Sequence, residues 1–87
     1  MTSTINEALD TIRSSGMQPH QFKQALQMIR RIKPHQNTEF ICAAIGSKFF
    51  EDHVAAQKAY HGFLLLLSNY SKPERVILDY KILTQAF

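Results

Sequence analysis

The stretch VAAQKAYHGFLLLLSNY, residues 54–70, constrains this chain more than any other. Its centre, Phe63-Leu64-Leu65-Leu66-Leu67, has no polar position. A surface helix keeps one polar side, so a helix apolar all round is expected to be buried. The segment therefore predicts a central helix over about 52–68. Within it, Ala55, Ala59 and Gly62 form a stripe of small residues, which lets a neighbouring helix approach near the short end of the usual 8–10 Å range. Tyr60, Leu64 and Leu67 line a second side, and Val54, His61 and Leu65 a third.

The rest of the chain supplies helices to pack on this one. Thr4 and Glu7 have capping-box spacing, and Ile5, Ala8, Leu9 and Ile12 follow on one face. Gly16 suits the left-handed residue that ends a helix, with Met17 as the closing apolar contact. Pro19 fits the first turn of a second helix, whose buried stripe is Phe22, Ala25, Leu26, Ile29 and Ile32 or Lys33. Pro34 stops it, because the residue before proline is pushed out of the helical region. Asn37 or Thr38 caps a third helix with Glu39 against its positive end; Phe40, Ile41, Ala44 and Ile45 are its expected buried side. A break is expected in 46–52, with Asp52 capping the central helix. Ser71-Lys72-Pro73-Glu74 reads as a further capping box, followed by Val76, Tyr80, Leu83 and Phe87 at helical spacing. Val76-Ile77-Leu78 could suit a strand, but the cap and the helical period outweigh it, and no other segment alternates to give it a partner. The expected fold is all-α, a compact bundle of four to five short helices forming one domain over residues 1–87.

Eighty-seven residues lie near the lower limit for a domain held by a hydrophobic core alone. The lone cysteine, Cys42, has no partner for an intramolecular disulfide and suits a reducing compartment. The opening MTSTINEALDTIR carries acids and no apolar core of a signal sequence. No stretch reaches the roughly 20 apolar residues of a membrane span. A cytoplasmic protein without a membrane partner is expected.

Charge is unevenly spread. Residues 19–35 hold Lys23, Arg30, Arg31 and Lys33 and no acid, a local charge of +4 in a chain of net charge +3. Lys23, Gln27, Arg30 and Arg31 fall on one side of the second helix, with Lys33 beyond them and His20 and His35 at the ends. Such a face can contact phosphates or an acidic protein surface; an ordinary solvated helix face has the same composition. Helix-turn-helix DNA recognition fits poorly, since TEFICAAIGSKF offers few groups able to read base edges.

Enzyme chemistry is not expected. The four histidines lack the close spacing of zinc ligands, and no metal or other cofactor is called for. Cys42 lies between Ile41 and Ala43, where a thiol is usually a core hydrophobe of raised pKa. His61 is expected to be partly buried and hydrogen-bonded rather than a general base. There is no nucleophile elbow, phosphate-binding glycine loop or acid pair.

The apolar content, 45%, is high for so short a chain. Either one core absorbs it or part of it forms an interface, with Tyr80, Leu83 and Phe87 of the last helix the candidates for docking on a partner or a second copy. The primary expectation is a non-enzymatic protein–protein interaction module, a regulator, adaptor or inhibitor of a larger partner, with a homodimer as one form. The alternative is a nucleic-acid-binding protein using the basic face.

Overall fold

The computed structural model describes residues 4–69 and 80–81. Four helices run in order: α1 (Thr4–Ser14), α2 (Pro19–Ile32), α3 (Thr38–Phe49) and α4 (His53–Asn69). There is no strand among the described residues. The fold is an all-α bundle, and no helix among the described residues is long and apolar enough to cross a membrane. The helix expected from Ser71 lies outside the described residues apart from Tyr80 and Lys81, which are helical.

Local chemistry sets most of the boundaries. Gly16 adopts φ +92°, its N–H donates to the Arg13 carbonyl, and Met17 turns into the core. Pro19 opens α2 behind Gln18, whose N–H donates to Gln21 Oε1 at 2.9 Å. α2 ends at Ile32 as expected, but Lys33 keeps helical angles (φ −51°, ψ −39°) and its N–H donates to the Ile29 carbonyl, so Pro34 does not push its neighbour out of the helical region. Asn37 caps α3 by accepting from the Phe40 N–H at 2.8 Å, and Asp52 Oδ2 accepts from the Ala55 N–H at 3.2 Å to start α4. At the far end of α4, Asn69 Nδ2 donates to the Leu65 carbonyl. α1 spans Thr4–Ser14, the bounds expected, with Thr4 itself helical rather than standing before the helix as its cap.

The central place of α4 follows from its small residues. A Cβ on Gly62 would stand 2.5 Å from Ile12 Cγ1, 3.0 Å from Ile12 N and 3.2 Å from the Ala8 carbonyl oxygen. The α1 backbone thus rests directly on α4. On another side of α4, Ala56 meets Gly46 of α3, where an added Cβ would lie 2.9 Å from the Ala56 carbonyl oxygen. Phe63 and Leu66 of α4 reach the core with Ala8, Ile12, Leu26, Ile29, Ile41 and Ile45. Phe22 of α2 stacks on Phe63 with ring centroids 5.6 Å apart, and on Tyr80 at 4.3 Å.

Two expected burials are corrected. Phe40 is 52% exposed, because α3 turns Ile41, Cys42, Ile45 and Gly46 inward instead. The α4 side bearing Val54 and His61 also faces out, with Val54 61% exposed. The Gly46 and Gly62 contacts hold α3 and α1 on other sides of α4, so its apolar sequence is not enclosed all round.

Gly62→Ala should destabilise the fold by up to about 2 kcal/mol in urea unfolding. Overpacking against Ile12 and the Ala8 carbonyl, at roughly 1–3 kcal/mol, outweighs a helix-propensity gain of about 1 kcal/mol. A variant more stable than wild type would show that α1 yields at this crossing.

Candidate functional site

The residues of the expected basic face come together on α2. Phe22, Ala25, Leu26 and Ile29 point into the core. At 3.6 residues per turn this leaves Lys23, Gln27, Arg30 and Arg31 on the solvent side, and all four are exposed. Lys33, the C-cap residue, is exposed at the same end as the two arginines. His20 and His35, at either end, are exposed as well. No acid lies within α2, and Lys23, Arg31 and Lys33 make no ion pair among the described residues. Cations near a helix C-terminus also answer the negative end of its dipole, which gives Arg30 and Arg31 a structural use besides any contact with a partner.

One member of the second expected surface lies in the core instead. Tyr80 is fully buried: its ring stacks on Phe22 and its hydroxyl donates to the Met17 carbonyl. An aromatic ring with one polar tip suits a site that offers both a flat ring and a free carbonyl, so Tyr80 belongs to the core and not to an outward face. Leu83 and Phe87 lie outside the described residues.

The groups weighed for chemistry are dispersed. Among the described residues, no three His, Cys, Asp or Glu side chains converge as a metal site would require. Cys42 is fully buried; burial pushes its thiol from 9.0 up to about 12, with the negative charge of Glu39 acting the same way. A thiol held neutral in the core is a poor nucleophile. His61 is exposed rather than partly buried, its ring edge-on to Tyr60 at 5.4 Å.

Among the described residues, a groove lies on each flank of α4. The larger, 370 Å³, lies towards α1 between Thr11 and His61, Leu64, Leu65 and Ser68. The other, 310 Å³, lies towards α3, with Ala43, Gly46 and Ala56 beneath His53, Tyr60 and His61. Sequence reasoning did not find these grooves, since they need two helices in register. The exposed Val54 and His61 had already been grouped as one side of α4, and that grouping was the available signal.

Comparison with known proteins finds no matching family model, no similar curated protein and no similar solved structure.

Cys42 and Tyr80 give the fold an alkaline limit. Burial raises Tyr80 from 10.0 to about 12, with Arg13 opposing in part. In each case the unfolded chain loses its proton first, so stability is full below pH 9 and falls as pH rises from 9 to about 12. Urea midpoints measured across that window should decline, and Tyr80→Phe should flatten the fall above pH 10. Native Cys42 should also resist a thiol reagent at neutral pH and react fully in denaturant; rapid native labelling would contradict its burial.

Proposed function

We propose that this chain is a non-enzymatic interaction module, a regulator or adaptor that docks on a larger protein bearing an acidic surface through the outer face of α2. The observation that carries this reading is the face itself. Lys23, Arg30, Arg31 and Lys33 stand exposed along one helix and its cap, and α2 contains no acid. Clustered charge of one sign raises encounter rates with an opposite surface and sets orientation. The inward stripe from Phe22 to Ile29 fixes the helix from behind, so the cations are presented on a rigid element. A free thiol kept in the core is in keeping with a cytoplasmic setting.

A second reading rests on the half-exposed aromatic ring of Phe40, which follows the basic end of α2 by one short turn. Exposed aromatic rings stack bases where neighbouring cations hold phosphates, so nucleic acid is the competing polyanion.

One preparation separates the two. The protein is purified without nuclease, its 260/280 nm absorbance ratio is read before and after a high-salt wash, and proteins retained on the immobilised chain are identified. The proposal expects a low ratio at low salt. It also expects retained protein partners that elute on raising salt, where the Debye length shrinks from about 10 Å at 0.1 M to about 3 Å at 1 M. Arg30→Glu with Arg31→Glu should reduce that retention about tenfold or more with unchanged helical circular dichroism. A high ratio that collapses with salt transfers the face to nucleic acid. Equal retention by wild type and the double variant would leave α2 an ordinary solvated helix.

A further inference from the structure

The outer face of α2 is unevenly charged along its length. Lys23 stands near its start and Arg30, Arg31 and Lys33 at its end, with the uncharged Gln24 and Gln27 exposed between them. At 3.6 residues per turn, His20 falls on the same outer side as Lys23, Gln27 and Arg31, just ahead of Lys23. His35 follows Lys33 at the other end. Both imidazoles are exposed, and neither makes an ion pair or a side-chain hydrogen bond among the described residues. The other two histidines, His53 and His61, are exposed on α4 beside the α3 groove.

We infer that His20 and His35 are proton-controlled members of this face, so that its hold on an acidic protein surface tightens as pH falls from about 8 to about 6. The inference rests on the reading of the face as the docking surface. Histidine is the side chain whose charge ordinarily changes between about pH 5 and 8. Protonating both imidazoles adds two charges to the four of Lys23, Arg30, Arg31 and Lys33, and α2 holds no acid to offset them.

The charged groups on the adjoining elements are few. They are Arg13 at the end of α1, Lys81 beside Tyr80, and Glu39 in the first turn of α3. Arg13 is engaged with Asp10 at 3.2 Å. Glu39 makes no ion pair with His35 among the described residues. Both imidazoles are therefore open to carboxylates that a partner brings. An opposite charge within about 4–6 Å favours the protonated form. Proton and partner thus favour each other's binding, and by reciprocity affinity rises as pH falls.

Binding of the full chain to dye-labelled poly-L-aspartate, followed by fluorescence anisotropy at fixed ionic strength, tests this. Aspartate carboxylates stay ionised through the window, so the probe does not supply the change. The wild type should gain about threefold to tenfold in affinity between about pH 8 and about pH 6, the worth of two exposed ion pairs. His20→Gln with His35→Gln should abolish that gain with unchanged helical circular dichroism. His53→Gln with His61→Gln, away from the face, should keep it. A wild type that binds equally at both ends of the window, or a gain that survives the His20 and His35 double variant, would overturn the inference and leave the docking face standing. Absence of binding at every pH would overturn both.

Discussion

Phe22 is the contact on which the placement of α2 depends. Its ring lies against Phe63 of α4 on one side and Tyr80 on another, and Tyr80 in turn donates to the Met17 carbonyl in the turn before α2. One side chain therefore ties the second helix to the central one and to a residue 58 positions later in the chain. Full burial of a phenylalanine contributes about 1.5–3 kcal/mol, and each aromatic pair about 0.5–1.5 kcal/mol beyond that. The basic face inherits this rigidity: with Phe22 held inward, Lys23 and the arginines have no choice but to point out.

The two glycine crossings do a different job. Gly46 has the Ala56 backbone at contact distance, and Gly62 has the Ile12 side chain together with the Ile12 and Ala8 backbone, so α1 and α3 are set largely by close backbone approach. Close backbone approach buries little apolar area per residue, and the core must come from the residues between the crossings, Phe63, Leu66, Ile12, Ile41 and Ile45. This division explains how a helix as apolar as α4 still leaves Val54 and His61 in solvent. Two of its sides are taken by close crossings, a third by the core, and nothing in the described bundle is left over for the fourth.

Elements whose signals are local were legible in the sequence. Gly16, Pro19, Asn37 and Asp52 each act through their own backbone or the turn beside them, and each ends or begins a helix where its chemistry says it should; Pro34 follows the end of α2, although Lys33 before it keeps helical angles. The basic face was legible for the same reason, since its residues share one helix. Features that depend on a second element were not. Ile41 and Ile45 turn inward together with Cys42 and Gly46, and that choice of face on α3 is decided by the Gly46–Ala56 crossing. Phe40 is thereby left outside, although its hydrophobicity alone argued for burial. Tyr80 was misplaced because its two partners, Phe22 and the Met17 carbonyl, lie far off in sequence. Thr4 resembled a cap because its spacing to Glu7 is right, yet a capping box differs from a first helical turn by a single residue of register.

The two surfaces that emerge are separated by α4 itself. α2 reaches the core side of α4 through Phe63, whereas Val54 and His61 occupy the far side. A partner seated on the outer face of α2 would therefore leave the far side of α4 in solvent, and the direction in which the basic face is presented is set by the inward packing of Phe22.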